Sequence, residues 1–279
     1  MPAQESAQLK ARTDRSPMDP RAFKIRENII DISHRSGHGH IPTSFSIIES
    51  LCAIYNQMHH NSSQPDDPER DIFILSKGHA SLGFYCVLSE YGYFPIEEVY
   101  GFGSHNQKFG CHPDRLKVEG AEASTGSLGH GISLAAGMAL GMKIKGENRR
   151  AFTLIGDGES NEGTVWETLM VAAHNKINNL TIIFDNNNSQ IRCMPISSPA
   201  AKFRAFGCHT IEVDGHDLAA LEAAIQVPSD QVKVIVANTV KGYGCPSFTE
   251  GDGMFAWHRR SPSDEEREQL LGELNEFAS

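Results

Sequence analysis

Apolar positions recur along this chain at two different spacings, and the spacing switches in the alternating order of an α/β domain. Residues 21–34 and 44–58 carry apolar positions three and four apart; in the second stretch Phe45, Ile48, Leu51, Cys52, Tyr55 and Met58 share one helical face. Residues 71–75 form a short apolar run ending at Ser76-Lys77-Gly78, which predicts a strand or an extended entry to a helix from His79. A small-residue-rich helix is predicted over 128–144. The run Phe152-Thr153-Leu154-Ile155 leads into a glycine turn, a helix follows over 162–174, and a second apolar strand covers 181–185. A strand at 210–213, a helix at 217–225, a strand at 232–237 and a charged helix at 265–271 complete the pattern. Residues 241–261, with Gly242, Gly244, Pro246, Gly251 and Gly253, are expected as a mobile active-site loop. The fold class this predicts is α/β, a parallel sheet flanked by helices.

Length and composition narrow the picture. A chain of 279 residues has room for one large or two small domains and can bury a full core. Its formal net charge of −10 argues against nucleic acid as a main partner, because that footprint is normally basic. The six cysteines, Cys52, Cys86, Cys111, Cys193, Cys208 and Cys245, form no Cys-x-x-Cys pair and no dense framework, as expected of reduced thiols in a cytoplasmic protein. No apolar stretch approaches the ~20 residues of a membrane span. Residues 1–20 are polar and mixed in charge, lack the apolar centre of a signal peptide, and are expected to be a mobile arm ahead of a domain over 21–279.

The chemistry centres on the turn Gly156-Asp157-Gly158-Glu159 and on Asn187, thirty residues beyond Asp157 and just past the next strand. A strand, tight turn, helix and parallel strand place both strand ends at one edge of a sheet, where such sheets bind ligands. Asp157 and Asn187 are therefore expected to converge. One carboxylate and one amide oxygen are hard donors suited to magnesium or calcium, and magnesium commonly takes further oxygens from water and substrate phosphates. Gly156 and Gly158 allow close backbone approach, and the following helix offers amides to an anion. The expected ligand is a metal-bound diphosphate, although Gly-Asp-Gly and Asn-rich segments also make ordinary turns.

Together, residues 156–167 (Gly-Asp-Gly-Glu-Ser-Asn-Glu-Gly-Thr-Val-Trp-Glu) and 184–191 (Phe-Asp-Asn-Asn-Asn-Ser-Gln-Ile) resemble the thiamine diphosphate fingerprint, and specifically that of transketolase. The resemblance runs from about His34 to Pro262. It includes Ser36-Gly37-His38-Gly39-His40-Ile41, Ser76-Lys77-Gly78-His79-Ala80, Gly110-Cys111-His112-Pro113-Asp114, Ser124-Thr125-Gly126-Ser127-Leu128-Gly129-His130-Gly131, Val213-Asp214-Gly215-His216-Asp217, Lys241-Gly242-Tyr243-Gly244 and Trp257-His258. It covers only the diphosphate-binding domain of a full transketolase. That implies the N-terminal subunit of a split enzyme, with a separate C-terminal subunit carrying the pyrimidine-binding domain and two copies of each.

The resemblance further implies a two-carbon ketol transfer from a ketose to an aldehyde acceptor, with thiamine diphosphate and Mg²⁺ or Ca²⁺. His40 and His258 would act near the donor's C3 hydroxyl, His112 near its C1 hydroxyl or ketol oxygen, and His79 at the diphosphate. Gly126, Ser127 and Leu128 would line the cofactor, with Gly158 and Glu159 at its diphosphate. Asp157, Asn187 and the main-chain oxygen of Ser189 would hold the metal. Glu162 and Glu167 match positions near a subunit contact. The glutamate that activates the aminopyrimidine belongs to the other half, so the chain alone is expected to be inactive or nearly so.

Departures from the family pattern bear on the substrate. Arg192-Cys193 replaces the usual Asp-Gly, Arg259-Arg260 follows the last histidine in place of glycine, Cys208 replaces tryptophan, and Pro42-Thr43 replaces smaller residues beside His40. These put the standard pentose phosphates in doubt. Other thiamine diphosphate enzymes, of the 2-oxo acid dehydrogenase or deoxyxylulose phosphate synthase type, share the Asp and Asn pair, and a non-catalytic cofactor-binding subunit is a further alternative. His38 and His40 also form a chelating pair, but zinc needs two further placed ligands.

Overall fold

The computed structural model describes residues 18–279. Five strands, β1 Ile72–Leu75, β2 Ala151–Gly156, β3 Leu180–Asn186, β4 His209–Asp214 and β5 Lys233–Asn238, form one parallel sheet in the order β1-β2-β3-β5-β4. The three central strands are almost wholly buried, and their side chains divide between two cores at the period of two that a strand imposes. Phe152, Leu154 and Ile183 join one core; Ile155, Ile182 and Phe184 join the other.

Helices cover both faces. The first core packs α1 (Pro20–Ser36), α2 (Ile41–Phe45), α3 (Ile48–Gln57), α4 (Ser81–Glu90) and, following the short α5 (Ile96–Val99), further helices from the C-terminal half. The second packs α6 (His130–Lys145), α7 (Gly163–His174) and α8 (Pro199–Ala205). Returning to the first face are α9 (Leu218–Gln226), α10 (Pro246–Thr249) and α12 (Asp264–Ala278), with α11 (Gly253–Ala256) between the last two. Of the segment expected as an arm, residues 1–17 lie outside the described residues. Asp19 caps α1 by accepting from the Arg21 and Ala22 amides, and Pro20 opens the helix, where its missing N–H costs nothing.

The single helix expected over 44–58 is two helices broken at Ser46-Ile47. Ser46 Oγ lies 3.0 Å from the Thr43 carbonyl and donates across to Asp185 Oδ2 (2.8 Å), so a tertiary contact competes with the local one at the helix break. Residues 241–261 also differ from an open loop. They hold α10 and α11, Lys241, Tyr243, Cys245, Phe248 and Trp257 are buried, and the Gly242 amide donates to the Pro42 carbonyl at 3.0 Å. The terminal helix runs longer than its charge pattern predicts because Leu270 and Leu274 pack into the first core and Ser263 with Glu266 forms a capping box. Helix α8 carried no clear periodic signal. It is ordered by Phe203 packing against Phe184 and Trp166.

All six cysteines are free thiols, four of them buried. No helix among the described residues is long and apolar enough to cross a membrane.

Candidate active site

The C-terminal ends of β1, β2, β3 and β5 face one cleft of about 410 Å³. It is lined by His40, Thr43, Lys77, His79, His112, Gly126, Leu128, Asp157, Gly158, Glu159, Asn187, Ser189, Gln190, Lys241, His258 and Arg259. A larger depression of about 590 Å³ lies at the opposite edge, among Asn178, His209 and residues 228–231, and gathers no comparable set of convergent groups.

Asp157 and Asn187 converge because β2 and β3 are parallel neighbours with Gly156 opposite Asp185. Ser189 ties them together: its hydroxyl donates to Asp157 Oδ1 (2.5 Å) and its amide to Asn187 Oδ1 (3.0 Å). Asp157 also accepts from the Gly158 amide (2.8 Å) and the Gln190 amide (3.2 Å). It is 3% exposed yet makes no ion pair among the described residues. A buried carboxylate without a cation, beside a carboxamide oxygen, is a donor set that fits a hard divalent ion. No group of three or more His, Cys, Asp or Glu side chains among the described residues is placed to hold a metal, so such a site must be completed by amide and main-chain oxygens.

Glycine shapes the walls. Gly129 sits at φ 81° at the start of α6, in the left-handed region, and its amide donates to Glu159 Oε1 at 2.8 Å. A Cβ at Gly131 would meet Ser76 Cα at 2.6 Å, so only glycine lets α6 pack against the end of β1. The Glu159 carboxylate is consumed within this scaffold, accepting also from Ser76 Oγ and the Gly156 amide. It braces the turn, so Glu159 would meet an anion through its backbone and not through its carboxylate. Ser127 is exposed and does not line the cleft, unlike Gly126 and Leu128 on either side.

The histidines divide. His40, His79 and His258 cluster, with ring centroids 5.4 Å (His40 to His79), 5.3 Å (His40 to His258) and 6.3 Å (His79 to His258) apart. His112 stands across from them against Gly126, whose added Cβ would meet the imidazole at 3.0 Å. His38 instead lies against Gly103, so the chelating pair of the sequence does not gather with the cluster. Burial, and then the neighbouring positive groups, push His40 down to about 4 and His79 to about 2. His258 and His112 shift down for the same reasons, with Lys241 and Arg259 beside the first and Arg259 beside the second. All four are therefore neutral at pH 7, able to accept a proton or to donate an N–H.

Two buried lysines form the floor. Lys77 pairs with Asp185 at 2.6 Å. Lys241, 4% exposed, makes no ion pair among the described residues; its Nζ lies 3.3 Å from His258 Nδ1, and burial beside Lys77 lowers it to about 8. Neither lysine stood out in the sequence beyond its motif, because only the folded chain brings them from the ends of β1 and β5 to one place. The two arginines after His258 part company. Arg259 lines the cleft, whereas Arg260 stacks over Trp257 at 4.0 Å and pairs with Glu266.

A parallel sheet with this cleft at its strand ends is the diphosphate-binding half of a thiamine diphosphate enzyme. Residues 20–258 match the family model described as "Transketolase, thiamine diphosphate binding domain". The chain is 36% identical over 270 residues to one of the subunits of the apulose-4-phosphate transketolase of Actinobacillus succinogenes, covering 93% of this chain and 96% of that one. It is 36% identical over 259 residues to a 6-deoxy-6-sulfo-D-fructose transketolase subunit of a Clostridium species, covering 90% and 93%. The structure of transketolase from Leishmania mexicana superposes with a TM-score of 0.82 at 26% identity, over 94% of this chain and 42% of that one. The chain belongs to the transketolase family, as a thiamine diphosphate-dependent transferase corresponding to the N-terminal subunit of its split members.

Proposed function

We propose that this subunit transfers a two-carbon ketol unit from a specialised, anionic ketose to an aldehyde, and does so only when a pyrimidine-domain subunit closes the cleft. The observation that carries the reading is the convergence of Asp157 and Asn187 beside four neutral histidines and a buried lysine that makes no ion pair among the described residues. Asp157, Asn187 and the Ser189 carbonyl would hold Mg²⁺ or Ca²⁺, and the backbone of Gly158 and Glu159, with His79 and Lys241, would receive the diphosphate. Gly126 and Leu128 would flank the cofactor. Bound there, thiamine diphosphate supplies the nucleophile and electron sink that carbon–carbon cleavage needs.

This chain's own groups would handle protons. His40 and His258, 5.3 Å apart by ring centroid, would take the proton from the donor's C3 hydroxyl. Lys241 Nζ, 3.3 Å from His258 Nδ1, would hold that ring in place. His112 would hold the C1 hydroxyl or ketol oxygen. Arg259, lining the cleft and facing His40, His112 and His258, supports an anionic substrate, as do relatives named for a sugar phosphate and a sulfo-sugar.

Assembly as two copies of each subunit in the cytoplasm accounts for the exposed apolar side chains of α6 and α7, Leu134, Met138, Met170 and Val171. Domain limits of 21–279 for the cofactor-binding unit follow from the same reading. The test is to purify the chain with its natural partner and screen ketose donors with thiamine diphosphate and magnesium. Ketol transfer by the pair and not by the chain alone is expected. Transfer by the chain alone, or consumption of 2-oxo acids in place of ketoses, would overturn it.

A further inference from the structure

We propose that Asp185 is the positioning residue of the metal site, locking the Asn187 carboxamide with its oxygen turned toward the cation. The inference rests on the reading of Asp157 and Asn187 as metal ligands. Asp185 is 1% exposed and lies at the end of β3, where four elements meet. Its Oδ1 accepts from Thr239 Oγ1 at 2.5 Å; its Oδ2 accepts from Ser46 Oγ (2.8 Å), Lys77 Nζ (2.6 Å) and Asn187 Nδ2 (2.7 Å).

Every one of these partners is a donor, and an ionised carboxylate, which accepts at both oxygens and donates at neither, can satisfy all four. The consequence falls on Asn187. Turned the other way round, its amide would set a carbonyl oxygen 2.7 Å from a buried carboxylate oxygen, two acceptors with no proton between them. The carboxamide is therefore held with nitrogen toward Asp185 and oxygen toward the Ser189 amide, on the side of Asp157. Ser46 restrains the nitrogen further, at 3.2 Å. Lys77 neutralises Asp185, so the brace adds little net charge to the cation's surroundings. This also gives the helix break at Ser46 a use, since an unbroken helix would carry its hydroxyl away from Asp185.

The same geometry explains why an amide cannot replace the carboxylate. Asparagine at 185 offers one acceptor oxygen and one donor nitrogen to four donors, so some are left unpaired and Asn187 loses the contact that does most to fix its orientation. The experiment compares Asp185→Asn, Asn187→Ala and the double variant in the complex with the partner subunit, reading the magnesium concentration that half-saturates thiamine diphosphate binding by calorimetry. Asp185→Asn is expected to raise that concentration about 10- to 100-fold, the usual effect of losing a group that orients a ligand. Added to Asn187→Ala it should raise it by less than about twofold, since there is no amide left to orient.

Additive losses would overturn the proposal, as would a wild-type response in Asp185→Asn alongside an impaired Asn187→Ala. A wild-type response in Asn187→Ala would overturn the ligand assignment and the proposal with it. Should Asp185→Asn fail to fold with Lys77 left unpaired, Asp185→Asn combined with Lys77→Met removes both halves of the ion pair and is put through the same cycle.

Discussion

Replacing Lys241 by methionine keeps the stem of the side chain and removes its charge, so it isolates what the buried ammonium does for the cofactor. Within the cleft that ammonium is held at about 8, well below 10.5, by burial and by Lys77. At 4% exposure and without a carboxylate partner among the described residues, this corresponds to roughly 3 kcal/mol of disfavour for its charged form. A diphosphate oxygen beside Nζ relieves it. A hydrogen bond to a charged group contributes about 1.5–3 kcal/mol net, so Lys241→Met should weaken thiamine diphosphate binding about 10- to 100-fold at pH 7.

The pH dependence carries a sign. A bound anion raises the lysine above that value, so above about pH 8 binding must take up a proton. Affinity should be nearly flat below pH 8 and fall by up to about tenfold per pH unit above it. Calorimetry on the assembled enzyme between pH 7 and 9.5, in two buffers of different ionisation enthalpy, reads both the affinity and the proton uptake. In Lys241→Met the uptake and the alkaline fall should vanish together. A variant that binds within about twofold of wild type and keeps the same alkaline fall would refute the reasoning and assign the titration elsewhere.

In the proposed metal site Asp157 is the only charged ligand, so Asp157→Ala should abolish magnesium-dependent cofactor binding while Asn187→Ala weakens it less; unchanged affinity in Asp157→Ala would reject the assignment. His258→Ala should retain the cofactor and lose turnover by about 10²- to 10⁴-fold, the range of acid–base groups, and near wild-type turnover would remove His258 from the chemistry. Acid should loosen the chain. His40 and His79 ordinarily titrate near 6.5 but are lowered to about 4 and about 2 here, so the unfolded state binds more protons below pH 6.5. Their contribution is complete above pH 6.5 and shrinks as pH falls from there toward 4. Urea midpoints between pH 7.5 and 4.5 should show a drop that is smaller in His40→Gln, and an equal drop would refute the histidine origin.

How much of this could be read from the chain alone depends on how far each feature reaches. The strands and most helices were legible because each is a local pattern: a short apolar run, or apolar positions three and four apart, bounded by turn residues. Asp157 and Asn187 were legible together because one strand–turn–helix–strand unit separates them, and parallel pairing then requires their strand ends to be neighbours. The histidines of the cleft were recognisable in their motifs.

Features that depend on contacts between distant segments were not legible. The helix expected over 44–58 breaks where Ser46 reaches Asp185, 139 residues away, and no window of sequence contains both. The loop after β5 is anchored by Pro42 and by its own buried aromatics, so its glycines signal tight turns within a packed segment. Arg259 and Arg260 are adjacent and chemically identical, yet one lines the cleft and the other stacks on Trp257. The sequence alone determined the strands, most of the helices and which donors share an edge of the sheet. Only the tertiary structure decided that Lys77 is neutralised and Lys241 is not, because burial and pairing, which set the charge a site presents, are properties of the packed chain.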